Sequence, residues 1–158
     1  MNSELNYFSQ EELLILKNAL KKSLRKVLAY EWINDWSGSS NRFIDKLEFI
    51  FDDFSKLILS CHDQEKRIQI YSMYDSEGHN EDLKKQFGEK IRMNTIDAGE
   101  FELWKNTIGK KLNAFDFQSD SHGVIAEKLI LIFEEEKRIV ELGLEDGLSF
   151  DFFEEESE

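Results

Sequence analysis

The chain of 158 residues contains no proline and one cysteine, Cys61. A single thiol excludes an internal disulfide, and the reading that follows is a soluble cytoplasmic protein. The lack of proline excludes no class of function. Only three histidines occur, His62, His79 and His122, and they are widely spaced. No CxxC, HExxH or related metal spacing is present, so no metal site is expected. His79 and His122 sit in polar stretches and read as solvated. Cys61 and His62 are neighbours on an expected strand and point to opposite faces. A Cys61 nucleophile would need a nearby base that the sequence does not place, so the residue reads as small and buried. The eight glycines are dispersed and form no P-loop, Rossmann or Gly-x-Ser-x-Gly pattern. Carboxylates are too abundant to single out an acid–base pair. No enzyme activity and no cofactor are expected. The longest apolar run, Leu129–Phe133, is too short to span a bilayer. Met1–Tyr7 is polar and shows no signal-peptide pattern.

What is abundant is acid. The formal charge is −13, from 33 Asp and Glu against 20 Lys and Arg. Residues 112–158 hold 14 of the acids and 3 of the bases, leaving 19 and 17 for residues 1–111. The excess therefore sits in the last third. Its sign argues against nucleic acid and anionic membranes, and for a cationic protein partner or for solubility alone.

Two stretches resemble one another and organise the chain. Asp45–Tyr71 aligns without gaps on Glu127–Phe153 at an offset of 82, with Lys46, Leu47, Ile50 and Phe51 recurring as Lys128, Leu129, Ile132 and Phe133. Each reads as three antiparallel strands. Upstream of the first, Ser9-Gln10-Glu11-Glu12 is a capping box that opens a helix. Leu13, Leu16, Leu20 and Leu24 extend its stripe, with Ile15, Ala19 and Val27 beside them. Lys17, Lys21, Lys22, Arg25 and Lys26 gather at its far end, as a solvated face or as an anion site. Upstream of the second, Asp97 with Glu100 opens a helix striped by Phe101, Trp104 and Ile108, and Gly109 ends it. Here the offset is 84, which sets Leu28 against Leu112. A strand follows each helix, carrying Leu28, Tyr30 and Trp32 in one copy and Leu112, Phe115 and Phe117 in the other. Phe43, Leu47, Phe49 and Phe51 form an expected inward set, continued by Leu57, Leu59 and Cys61 and by Ile68 and Ile70. Trp36, in the loop Asp35–Asn41, is a rim residue or an exposed anchor.

The expected fold is α+β, with two similar helix-plus-antiparallel-meander halves packed as one pseudo-two-fold domain. The repeats span about 9–74 and 97–153. Residues 75–96 connect them, with Asp75–Glu81 as the boundary, a short helix at Leu83–Phe87 and an alternating stretch at Ile91, Met93 and Thr95. Val140, Leu142 and Leu144 alternate out of phase with Leu57, Leu59 and Cys61.

The acidic rows supply the candidate binding surface. Glu134, Glu135 and Glu136 occupy a hairpin tip, Glu145 and Asp146 the next turn, Asp151 the last strand and Glu154 the tail. Phe153 is the natural apolar anchor, or a core residue if both sheet faces are covered, as Ile130 and Ile132 opposite Leu129, Leu131 and Phe133 hint. Two readings stand side by side: an edge protected by charge, or a surface that docks on a basic cleft.

The run Trp104-Lys105-Asn106-Thr107-Ile108-Gly109-Lys110-Lys111-Leu112, leading into LILIFEEEKRIVEL, together with acidity, small size and no catalytic motif, resembles the small acidic immunity proteins of bacterial polymorphic-toxin and contact-dependent inhibition systems. That resemblance implies a cytoplasmic binder that neutralises one cognate toxin, often a nuclease, by occluding a basic active-site cleft. It carries over no catalytic residue. The alternatives are an adaptor domain, or a small-ligand-binding or enzymatic domain with a pocket between the halves.

Overall fold

The capping box at Ser9 forms. Ser9 Oγ accepts from the Glu12 amide at 3.1 Å, and Glu12 Oε1 accepts from the Ser9 amide at 2.9 Å. It opens helix α1 (Gln10–Ala19) in the computed structural model, which describes residues 7–35, 41–62, 67–142 and 148–152, with backbone alone at 41, 62, 142 and 149–152. The helix is shorter than the leucine spacing predicts. Leu20 turns extended and Lys21 takes φ +70°, so Leu24 and Val27 belong to strand β1 (Leu24–Asn34), where both are fully buried. Lys21, Lys22, Arg25 and Lys26 therefore lie beyond the helix.

Strands β2 (Asn41–Phe51), β3 (Lys56–His62) and β4 (Arg67–Tyr71) follow as antiparallel hairpins. Leu47, Phe49, Phe51, Leu57, Leu59, Ile68 and Ile70 face the core as expected. Phe43 does not. The register slips between Tyr30–Lys46 and Glu31–Ile44, which leaves Asp45 bulged and reverses the alternation before it. Ile44 packs on the core instead, and Phe43 stacks on Trp32 at 6.4 Å. Trp36 and residues 63–66, where a turn is expected, lie outside the described residues.

Residues 75–96 carry real elements. Asp75 Oδ1 accepts from the Gly78 amide and opens helix α2 (Ser76–Phe87), seven residues ahead of the short helix expected at Leu83. Strand β5 (Ile91–Asp97) then joins the first sheet beside β1, giving the order β4-β3-β2-β1-β5. Each edge of this sheet meets a helix side chain. Glu12 Oε2 accepts from the Ile70 amide of β4 at 2.8 Å. The Asn80 amide bonds both the N–H and the C=O of Met93 in β5, at 2.9 and 3.1 Å. Both devices satisfy edge groups that would otherwise invite another strand.

The second helix of the sequence reading breaks up. Asp97 caps only a 3-10 turn, Ala98–Glu100, and a four-residue helix α3 (Glu102–Lys105) follows. Of its expected stripe, Trp104 is fully buried while Phe101 and Ile108 are exposed. Strands β6 (Leu112–Asp120), β7 (Gly123–Phe133), β8 (Glu136–Leu142) and β9 (Leu148–Phe152) form the second sheet, in sequence order and antiparallel. Its inward residues Leu129, Leu131, Phe133 and Val140 close on the first sheet. Phe49 touches both Trp104 and Phe133, with ring centres at 5.3 and 6.0 Å. Each such fully buried side chain contributes about 1.5–3 kcal/mol.

The sheets are stitched where β1 and β6 begin. Ser23 and Lys111 form an antiparallel bridge, the Leu24 amide donates to Lys110 O, and the Gly109 amide, at φ +87°, donates to Leu24 O. The registers also show how the two meanders compare. Leu24 pairs with Phe51 and Leu112 with Phe133, while Leu47 meets Leu59 and Leu129 meets Val140. Matched positions are thus 88 apart in the first strand (Leu24, Leu112), 82 in the second (Leu47, Leu129), 81 in the third (Leu59, Val140) and 80 in the fourth (Ile70, Phe150). The offset of 84, which set Leu28 on Leu112, is corrected to 88. The phase conflict of Val140 with Leu59 disappears, because the turn after Phe133 is one residue shorter than the turn after Phe51. The likeness is confined to the strands: α1 has no equal-length partner, and α2 and β5 extend the first sheet alone. The fold is α+β, and a pseudo-two-fold duplication is not established.

Candidate functional site: the acidic second sheet

The β7–β8 turn, site of the first acidic row, is built against the chain segment that precedes β6. Glu134 adopts φ +57°, its amide donates to Lys111 O at 3.0 Å, and its carboxylate accepts from the Lys111 amide at 2.8 Å. The Lys110 ammonium pairs with Glu135 and lies 3.8 Å from Glu136. That lysine holds the Glu135 carboxyl below its ordinary range, and the carboxylate in turn raises Lys110. Glu136 also pairs with Arg138 at 3.2 Å. Glu134 and Glu135 are exposed, yet all three carboxylates already face the protein's own amides and cations. The corresponding turn of the first sheet is tied down likewise: the Asp52 amide donates to Ser23 O, and Asp53 pairs with Lys22 at 3.0 Å.

Arg138 is the residue that sequence reasoning misplaced. The ungapped alignment set it opposite Lys56, a surface lysine. The shorter turn moves it to the position of Leu57, so it points inward and is 4% exposed. There its Nε donates to Leu103 O, a carbonyl of the four-residue α3, and Nη1 donates to Lys137 O. A helix this short leaves such carbonyls without partners of its own.

The remaining expected site residues divide. Asp151 pairs with Ile139 in the β8–β9 register. Glu145, Asp146, Phe153 and Glu154 lie outside the described residues.

The outer face of the second sheet carries isoleucines that the alternation marks as half-buried on that side. Ile130 and Ile132 alternate with the buried Leu129, Leu131 and Phe133, and Ile139 alternates with Arg138 and Val140. Ile130 pairs with Ile139 across β7–β8 and with Asp116 across β6–β7, and Ile132 pairs with Ala114 and Lys137. The result is a row of isoleucines on the outer face, each half-buried. Asp116 and Glu141 flank it, both exposed and neither in an ion pair among the described residues. Asp116 Oδ1 accepts from the Phe117 amide at the β6 edge. The sequence signal was there: apolar residues on both parities of β7.

Elsewhere His79, expected in a solvated loop, lies on α2 with Nδ1 2.7 Å from the Tyr74 hydroxyl. Burial, aided by Lys46, lowers its pKa. Cys61 is half-buried and donates to Asp45 Oδ1 at 3.3 Å. His122 is exposed in the β6–β7 turn, as expected. Among the described residues no group of three or more His, Cys, Asp or Glu is placed to hold a metal ion, and no helix is long and apolar enough to cross a membrane. No protein-family model, curated protein or solved structure matches the chain.

Proposed function

We propose that the chain is a non-enzymatic protein-binding inhibitor of the immunity type, which covers a cationic region of a partner enzyme with the outer face of its second sheet. The observation that carries this reading is the row of half-buried isoleucines Ile130, Ile132 and Ile139 on the outer face, bordered by the exposed carboxylates Asp116 and Glu141 and by Lys128 and Lys137. An apolar centre inside a charged rim is the anatomy of a protein interface: the centre supplies affinity, and the rim supplies on-rate and partner choice. The charge balance supports it. Residues 112–158 hold 14 acids and three bases, and of these Glu136 is paired with Arg138 and Glu135 with Lys110 within the protein, which leaves acid in excess. The glutamates of the β7–β8 turn, paired within the fold yet exposed at Glu134 and Glu135, stand at the edge of this surface rather than at its centre.

Co-expression with the product of a neighbouring toxin-type gene tests the proposal. The chain should restore growth and bind that product, and association should slow as salt rises. Asp116→Lys with Glu141→Lys should slow association at least about tenfold at low salt. Growth inhibition that persists with full-length chain present would rule the reading out.

A further inference from the structure

A second surface lies on the first half, between the C-terminal part of α1, the β2–β3 turn and the segment leading to α2. It is a groove of about 440 Å³ whose lining includes Ile15, Lys22, Phe54, Lys56, Met73 and Tyr74. We infer that this groove docks an acidic peptide segment that carries one apolar anchor, a partner chemistry opposite to that sought by the second sheet; the inference does not rest on that earlier reading.

Three observations point to it. The first is exposed apolar area: Phe54 is 67% and Met73 83% exposed at the groove's rim. Large apolar side chains brought together in this way mark contact sites. The second is backbone conformation. Phe54 ends a three-residue turn at φ +66°, a left-handed position that glycine or asparagine fills without the penalty an aromatic residue meets. Folding alone would favour glycine there. The phenylalanine spends stability to present a ring, and the Arg25 guanidinium lies 4.9 Å over its centre. Strain of this kind is found where a side chain has a task. The third is charge. No carboxylate lines the groove. The Lys22 ammonium donates to Asp53 and Ser55, and that of Lys56 lies 3.6 Å from Glu48, so each retains donor capacity for a further anion. Between Lys17 and Tyr30 the chain has Lys17, Lys21, Lys22, Arg25 and Lys26 and no acid. A basic rim around an apolar floor fits a segment in which acids flank one apolar residue.

The test is fluorescence anisotropy on the full chain. The probe is a labelled peptide of four glutamates flanking one phenylalanine, compared with the same peptide carrying lysines for the glutamates. The glutamate peptide should bind saturably and the lysine peptide at least about tenfold more weakly. Phe54→Gly should weaken binding about tenfold or more while melting no lower than the parent, since glycine accepts this φ freely. Lys22→Gln should weaken it too, with the far-ultraviolet spectrum unchanged. The inference is overturned by equal binding of both peptides, by affinity indifferent to both substitutions, or by no saturable binding. A concentration-dependent dimer abolished by Phe54→Gly would also overturn it, since the groove would then belong to a second copy of the chain.

Discussion

Glu12→Ala is expected to be the most damaging single change at the periphery of the fold. Glu12 is 6% exposed, although it lies on the first turn of α1. Its carboxylate accepts from the Ser9 amide, from the Ile70 amide of edge strand β4 and from the Arg67 guanidinium at 2.7 Å. Arg67 is 8% exposed and donates as well to Tyr7 O at 2.8 Å. One side chain therefore joins the helix cap, the sheet edge and the N-terminal segment. Truncation removes one carboxylate that a buried guanidinium and two backbone amides share, a loss of about 3–5 kcal/mol, and with it half of the capping box. In a chain of this size that lowers Tm by about 6–20 °C, at about 2–4 °C per kcal/mol. Urea unfolding followed by circular dichroism reads the effect, with the slope unchanged. A destabilisation of Glu12→Ala below about 1 kcal/mol would refute the reasoning on buried pairs.

Three further outcomes follow from particular contacts. Asn80→Ala frees the Met93 N–H and C=O at the β5 edge, and should cost about 1–3 kcal/mol and raise hydrogen exchange at Met93, with no change at Ile70. His79 has a folded pKa below its unfolded value, so the unfolded chain binds more protons between the two. Its contribution is present above pH 6.5 and is lost as pH falls through the folded pKa; His79→Gln should flatten stability against pH in that window. Asp53, held at about 2 by Ser55 and Lys22, should titrate near pH 2 by carboxyl NMR, and Lys22→Met should move it toward 3.8. A normal Asp53 titration in the parent would show that the β2–β3 turn is not docked on Lys22.

The strands were largely readable from alternation, because Leu47, Phe49 and Phe51, like Leu57 and Leu59, sit on one face of a regular pleat. The failures share a physical cause: the sequence carried no local mark of the event. Helix α1 stops at Ala19 with no glycine or proline near it, and Leu24 and Val27 satisfy helical spacing while being buried in a strand. The bulge at Asp45 reverses Phe43, and no composition announces it. Helix α2 hid inside a polar stretch because one buried residue, Leu83, docks it while Asp75 and Asn80 do the rest through hydrogen bonds. A turn shortened by one residue sets Arg138 at the inward position of Leu57 rather than opposite Lys56. At the candidate site, the composition revealed that acid was in excess, whereas only the geometry revealed that Lys110, Lys111 and Arg138 meet the glutamates of the β7–β8 turn. Reversing Glu134, Glu135 and Glu136 to lysine would set like charges against Lys110 and disrupt the turn. The isoleucines of the outer face are the better target.

That target sets the most direct measurement. Association and dissociation rates with the toxin-type partner are compared for the parent, for Ile139→Lys and for Glu135→Gln. Ile139→Lys should raise Kd at least about a hundredfold, mainly through faster dissociation, with Tm within a few degrees of the parent, and Glu135→Gln should leave Kd within about threefold. Unchanged affinity in Ile139→Lys, beside a large loss in Glu135→Gln, would contradict the assignment of the binding face to the outer side of the second sheet.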